Sequence, residues 1–518
     1  MTIAEMLARN ARVYPDDSAL IQRVAGRDNR KEITWKEFDN RANLVANALI
    51  SRGVKKGDKV IHLMMNSINW LEAYFGIIRT GAWVVPLNFR FTAKDIKYCT
   101  DVAEARAMIV GKEFKDTITS IRSELPIDNY IYVGDDTPAG MENFEKMLVE
   151  SNASAVNVNL NDWDPCGLYF TSGTTGQPKP ILLTHKNMEH SAITENRHHY
   201  QTHEDNFILI PPLYHTGGKM HWFGNFIVGG RATILIGANP KAIFEAVSEE
   251  KGSVVFLLVP WAQDILTALD SGELKIADYD LSHWRLMHMG AQPIPPSIIK
   301  HWKKYFPKMQ YDTNYGLSES TGPGCVHLGI ENEDKVGALG KPGFNWEVRI
   351  VDYAGRDLPQ GEIGEIVVKG NGVMQEYYKN PEKTAEAIRD GWLFTGDMGQ
   401  VRDDGFIYIV DRKKDLIISG GENIYPVEIE EILLRNHKIY DVALIGVPDE
   451  RLGEAAMAII DPKPGENLTL EEMEQYCEIN LPRYKRPKHF VFDKVPRNPT
   501  GKIEKPKLRE KYNQAIKL

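Results

Sequence analysis

As far as Gly337, short apolar runs alternate with amphipathic segments, and no other feature restricts the fold as much. Val60 to Met65 reads as a buried strand, Leu71 to Ile78 as a helix, and Trp83-Val84-Val85-Pro86-Leu87 as the next strand. Ile208-Leu209-Ile210, Thr233-Ile234-Leu235-Ile236 and Val254 to Val259 continue the series. Thr34 and Glu37 form a capping box ahead of Phe38, Ala42, Val45 and Leu49, which share one helical face. Such alternation implies parallel sheets covered by helices, hence an α/β chain.

From Gly337 onward the texture changes. Val348 to Asp352, Gly364 to Val368 and Gly405 to Val410 are short strands between Gly, Pro and Asp turns, which predicts an antiparallel or barrel-like part. Asp411-Arg412-Lys413-Lys414-Asp415 is a charged link with no core of its own. Beyond it lies a small α+β unit: helix Val427 to Leu434, strands Val442 to Val447 and Ala456 to Ile460, and helix Leu470 to Ile479. The expected organisation is a large domain, 1–413, and a small one, 414–518, joined at Lys414.

The net charge of −9 argues against a nucleic-acid binder, whose footprint is basic. No apolar run is long enough to cross a bilayer, and Met1 to Glu5 lacks the basic flank and apolar stretch of a signal peptide. Cys99, Cys166, Cys325 and Cys477 are far apart, with no metal-ligand spacing, as reduced thiols of a cytoplasmic protein would be. Whether the chain pairs as a homodimer stays open.

Tyr169-Phe170-Thr171-Ser172-Gly173-Thr174-Thr175-Gly176-Gln177-Pro178-Lys179 can wrap a polyphosphate. Glycine lets main-chain N–H groups approach the anion, hydroxyls donate, and Lys179 adds charge. Its glycine and lysine spacing is not that of a Walker loop. By itself such a run is more often an ordinary flexible connection. Downstream, however, come Pro212-Leu213-Tyr214-His215, Asn314-Tyr315-Gly316-Leu317-Ser318-Glu319, Gly391-Trp392-Leu393-Phe394-Thr395-Gly396-Asp397, Asp411 to Asp415 running into Ser419-Gly420-Gly421-Glu422-Asn423, and Pro499-Thr500-Gly501-Lys502. In this order the segments resemble the adenylate-forming superfamily, which includes acyl- and aryl-CoA synthetases, adenylation domains of peptide synthetases, and beetle luciferases. The resemblance covers essentially the whole chain.

The resemblance implies that ATP activates a carboxylic acid as its acyl-adenylate, and that coenzyme A then takes the acyl group. Thr171, Ser172, Gly173, Thr174, Thr175, Gly176 and Lys179 would hold the phosphates. Mg2+ would sit on Glu319 with Thr171 on the loop side, and Ser318 keeps the hydroxyl where Thr is commoner. Tyr315, next to Gly316, would stack beside adenine, with Asn314 or Gly290-Ala291-Gln292 reading its amino edge. Asp397 would take the ribose hydroxyls, and Arg412 would make a second ribose or phosphate contact. Lys502 would reach the acid carboxylate and α-phosphate during adenylation only, with Lys414 at the hinge about which the small domain turns. Pro180 stands where the family usually has Gly; it removes an N–H at the loop's exit.

His215 would lie beside the carboxyl group, in an acid pocket shared with Gly218, Trp222, Trp261 and Met289. Those bulky apolar side chains suit a medium-length, alicyclic or aromatic acid. Gly420-Gly421 offers bare backbone for a pantetheine path, and Tyr484, Arg486 and Lys488 resemble a strip for CoA phosphates, though a solvated basic patch has the same composition. Leu452 stands where some relatives carry an aromatic for CoA's adenine. Rival readings are an amino-acid adenylating enzyme, an oxygenating luciferase and a non-enzymatic binding protein. The first would carry an Asp near His215, and the last would lose Lys502 or Glu319.

Overall fold

Alternate residues of single strands enter different cores. Val254, Phe256 and Leu258 belong to one hydrophobic cluster, and Val255 and Leu257 to another. Likewise Val60 joins the first cluster while Ile61 and Leu63 join a third. A strand apolar on both faces must be covered on both faces, which sets the layering. The computed structural model describes residues 1–171, 178–290, 294–420, 422–497 and 503–513, apart from the side chains of Pro323, Arg412 and Asn513.

One sheet orders its strands Gln310–Asp312, Leu286–Gly290, Val254–Leu258, Asn206–Leu209, Arg231–Ile236, Ser18–Val24 and Lys31–Thr34, parallel except for the last pair. The other runs Glu376–Tyr377, Lys179–Thr184, Pro165–Thr171, Trp83–Pro86, Lys59–Leu63, Ala107–Gly111, Asn129–Val133 and Glu142–Asn143. It is parallel from Pro165–Thr171 onward and antiparallel before it.

Helices Trp35–Ser51, Ile68–Arg79 and Thr216–Phe226 send Trp35, Phe38, Phe75, Trp222, Phe223 and Phe226 into the cluster to which both sheets contribute. Phe75 meets Phe38 edge-on at 5.3 Å and Phe226 at 5.2 Å between ring centroids. Helices Pro240–Glu250, Val259–Asp270 and Pro296–Tyr305 cover the far side of the first sheet, and Ala93–Ala103 and Lys115–Ile121 that of the second. The layers therefore run helix, sheet, helix, sheet, helix.

The helix foreseen from Thr34 starts at Trp35. Glu37 N–H donates to Thr34 Oγ1 at 3.2 Å, and Thr34 N–H donates to Glu37 Oε2 at 2.7 Å. The helix read from Leu71 begins earlier, at Ile68, because Ser67 caps it through Trp70 N–H. Beyond Gly337 the strands Glu347–Val351, Gly364–Lys369, Trp392–Val401 and Ile407–Arg412 pair antiparallel.

The small unit holds helices Pro426–Leu433 and Leu470–Asn480 and strands Ile439–Asp449 and Gly453–Pro462. It also has elements the sequence reading did not foresee. Strand His489–Phe492 adds in parallel to Gly453–Pro462, and helix Lys505–Asn513 packs Leu508 and Tyr512 on the sheet. Half-exposed residues along that strand and a mostly charged helix leave little periodicity to detect. Among the described residues no helix is long and apolar enough to cross a membrane.

Gly76 marks where the two central helices touch: a Cβ there would lie 2.4 Å from Val45 Cβ and 3.1 Å from the Ala42 carbonyl oxygen. Gly76→Val should therefore cost about 1–3 kcal/mol by overpacking. The check is the urea midpoint of unfolding, which should fall; an unchanged midpoint would show that the helices can part freely.

Candidate active site

The hairpin of strands Asn314–Leu317 and Gly322–His327 is closed by the single turn Ser318–Ser320. Gly322, at φ +91, allows a close approach: a Cβ there would sit 3.2 Å from Gly217 N. The hairpin tip thus lies against the start of helix Thr216–Phe226. Thr216 Oγ1 is 3.3 Å from Ser318 Oγ, and His215 caps the helix by accepting Gly217 N–H at Nδ1, 3.2 Å away. Both parts border a cavity of about 100 Å³ lined by Pro211, His215, Gly218, His221, Phe256, Asn314 and Ser318.

Glu319 stands in the turn, with Tyr377 hydroxyl donating to its Oε1 at 2.8 Å. Met374 N–H holds the Glu319 carbonyl at 2.7 Å. Lys179 Nζ lies over the Tyr377 ring, 5.6 Å from its centre. Tyr377 thus ties Lys179, at the exit of the expected phosphate loop, to Glu319. Burial and the Glu319 charge both raise its phenol pKa, so it remains a proton donor. No motif pointed to Tyr377. Thr171 pairs with Lys179 at the mouth of the loop.

On the other side, Tyr315 hydroxyl donates to Asp397 Oδ2 at 2.7 Å. Burial first, then the Asp397 charge, raises the Tyr315 phenol far above its usual range. Asn314 Nδ2 donates to Glu195 Oε1 at 2.5 Å. Glu195 is fully buried, which alone would raise its pKa; His221 and His199 outweigh that and hold it ionised, below the usual carboxylate range. Glu195 was not singled out by sequence, since it stands in no motif.

The expected acid pocket divides. His215 and Gly218 line the cavity. Trp222 does not: at about 100° per residue, Gly217, Gly218 and His221 share one arc of the helix. Trp222 instead turns into the core with Phe223 and Phe226, each 5.4 Å away. Met289 is also displaced, because strand alternation sends it to the outer cluster, on the opposite face from His288. Trp261 is half-buried in the first turn of helix Val259–Asp270, packed against core residues and away from the cavity lining. Gly290 ends its strand beside the Phe256 ring.

In the small unit, Gly420 takes φ +58 and its N–H donates to the Leu452 carbonyl at 2.8 Å. Tyr484 is half exposed. Arg486 is engaged at the end of helix Leu470–Asn480: Nε donates to the Leu481 carbonyl at 3.0 Å and an amino group to that of Glu478 at 3.1 Å. Lys488 pairs with Asp449, whose pKa that contact lowers to about 2. A phosphate would have to share or displace these partners. Lys414 lies in an exposed turn between Asp411, which accepts Val427 N–H at 2.9 Å, and Asp415, which pairs with Arg509 at 2.7 Å. Ser172, Gly173, Thr174, Thr175, Gly176, Ala291, Gln292, Gly421, Lys502 and the Arg412 side chain lie outside the described residues.

Residues 7–378 match the family model described as AMP-binding enzyme, and residues 428–502 that of the AMP-binding enzyme C-terminal domain. A feruloyl-CoA synthase of Amycolatopsis sp is 32% identical over 508 residues, covering 97% of this chain and 98% of that protein. The long-chain-fatty-acid–CoA ligase FadD13 of Mycobacterium tuberculosis is 30% identical over 520 residues, covering 99% of each. The crystal structure of the anthranilate CoA ligase AuaEII in complex with anthranoyl-AMP has a TM-score of 0.89 at 26% identity, over 100% of this chain and 98% of that one. The chain therefore belongs to the AMP-binding enzyme family, the adenylate-forming superfamily its ordered motifs resemble, and is an enzyme that groups there with the acyl- and aryl-CoA ligases.

Proposed function

We propose that this enzyme is an ATP-dependent acid–CoA ligase. A carboxylate oxygen attacks the α-phosphorus of ATP, pyrophosphate leaves, and acyl-AMP forms. The CoA thiolate then attacks the acyl carbon and AMP leaves. The observation that carries this reading is one turn, Ser318–Ser320, which borders an apolar-walled cavity on one side and supports Glu319 on the other.

Each role follows from bonding already described. Asn314 gives its amide N–H to Glu195, which can only accept, so its carbonyl oxygen is left for adenine's amino group. Asp397, steadied by Tyr315, takes the ribose hydroxyls. Lys179 and the loop before it hold the phosphates. Glu319 and Thr171 offer only oxygen donors, which suits Mg2+; when bound, the ion supplies charge neutralisation at phosphate oxygens. The positive end of helix Thr216–Phe226, capped by His215, faces the cavity where the substrate carboxylate lies. Lys502 adds charge at the α-phosphate, and the turn at Lys414 lets the small domain change faces between steps.

Pro211, Phe256 and Leu258 make the cavity wall apolar. That supports a medium-length, alicyclic or aromatic acid, in line with relatives named for feruloyl and anthranilate substrates, while another is named for long-chain fatty acids. A pyrophosphate-release screen over carboxylic acids, with and without CoA, tests the reading. Acid-dependent release with thioester formed only when CoA is present is expected; release that ignores CoA, ending in another acyl acceptor, would overturn it.

Tyr377→Phe removes the bond that holds Glu319. It should lower kcat for pyrophosphate release about 10-fold, the scale of one hydrogen bond to a charged group. Unchanged kcat would show that Tyr377 does not position the carboxylate.

Lys502→Ala separates the half-reactions. Losing one electrostatic contact to developing charge costs on the order of 10²–10³ in rate. Pyrophosphate release from ATP and acid should fall by that factor, while supplied acyl-adenylate should still react with CoA near the wild-type rate. Equal damage to both steps, with circular dichroism unchanged, would assign Lys502 elsewhere.

A further inference from the structure

Behind the cavity wall the chain buries an unusual group of ionisable side chains: Glu195, His199, His221, His288, Asp312 and His327. His199 bridges the two carboxylates, with Nε2 2.8 Å from Asp312 and Nδ1 3.4 Å from Glu195. Against the effect of burial, those carboxylates raise the His199 pKa, so it carries a positive charge between them. His288 contacts His221 and His199 only through ring faces and edges, and neither of its nitrogens finds a hydrogen-bond partner among the described residues, Nδ1 lying 4.0 Å from Glu195 Oε2.

His221 is the member of this group that reaches the cavity. Its Nδ1 is 3.0 Å from Glu195 Oε2. Glu195 is a carboxylate and can only accept, so Nδ1 carries the proton. Burial lowers the His221 pKa despite Glu195, which favours the neutral ring, and that ring holds Glu195 through its Nδ1–H. Nε2 therefore presents a lone pair. The ring cannot turn away: it stacks on Phe256 at 4.2 Å and 24°, and meets His288 edge-on at 4.3 Å. With one edge on Glu195 and one face on Phe256, the Nε2 edge is left for the cavity, and no described group donates to it.

His221 follows His215 by six positions, about 9 Å along a helix that rises 1.5 Å per residue. One cavity thus has His215, at the proposed carboxylate-binding end, and a hydrogen-bond acceptor far from it, with the apolar Phe256 and Leu258 also in its wall. We infer that the acid this enzyme activates bears a hydrogen-bond donor, a hydroxyl or amino group, at the end remote from its carboxylate, and that His221 Nε2 accepts it. Glu195 is the positioning residue that fixes the tautomer. A plain hydrocarbon acid would leave a buried acceptor unpaired, and sites built to bond a substrate hydroxyl reject analogues that lack it.

The inference rests on the proposed acid–CoA ligase reading, and the experiment separates the two. Matched acids are compared by kcat/KM for pyrophosphate release: 4-hydroxybenzoate against 4-methylbenzoate, and 4-hydroxycyclohexanecarboxylate against its 4-methyl counterpart. Binding of the same acids is measured by calorimetry with a non-hydrolysable ATP analogue present. The wild-type enzyme should favour each donor-bearing acid by about 10- to 100-fold. His221→Phe, which keeps the stack on Phe256, should reduce that ratio to one or below. Turnover of the methyl acids equal to or better than the hydroxy acids in wild type would overturn the inference while leaving the ligase reading intact. A donor preference in binding without turnover would uphold the inference and overturn the ligase reading. Neither binding nor turnover of any acid would overturn both. The wild-type ratio decides even where His221→Phe fails to fold.

Discussion

Burial of the strands on both faces is the constraint from which the rest follows. Val254 to Leu258 sends side chains alternately into two cores, so helices must lie on either side, and the connections must emerge at the strand ends. In open parallel sheets the ligand-binding loops gather outside the carboxyl ends. That is where the candidate site lies. Pro211 follows strand Asn206–Leu209, Leu258 and Gly290 close their strands, Asn314 follows Gln310–Asp312, and Thr171 closes Pro165–Thr171. These strands, all of them in parallel pairings, deliver their ends to one region without any side chain having to arrange it.

Much of this was legible in the sequence because the fold and the site obey local rules. The capping box at Thr34, the apolar strands and the ordered motifs each depend on residues close together in the chain. What was not legible depends on which face a residue presents. Trp222 and Met289 are bulky and next to pocket residues in sequence, so they read as pocket walls. Helix and strand periodicity carry them into the cores instead. Periodicity tells which residues share a face; only the packed neighbours tell where that face points. Tyr377 and Glu195 escaped for another reason. Each acts on a residue far away in sequence, Tyr377 on Glu319 and Glu195 on Asn314, and neither stands in a motif.

The basic strip of the small domain shows the same limit from the charge side. Composition counts Arg486 and Lys488 as cations, whereas the fold spends Arg486 on helix-end carbonyls and Lys488 on Asp449. Arg486 satisfies acceptors that helix Leu470–Asn480 leaves over at its end. Tyr484 is half exposed, with Lys485 Nζ over its ring.

Glu195 is where the two halves of the site meet. Its Oε1 takes Asn314 and its Oε2 takes His221. Asn314 and His221 both line the cavity, and each has two possible orientations or tautomers that would present opposite hydrogen-bonding character. A carboxylate that only accepts removes that freedom from both at once: the amide must turn its oxygen outward and the imidazole must keep a bare Nε2. On the proposed reading, one buried charge thus writes an acceptor on the nucleotide side and another on the acid side. His199 behind it, anchored by Asp312, supplies counter-charge that helps keep Glu195 ionised in a dry interior.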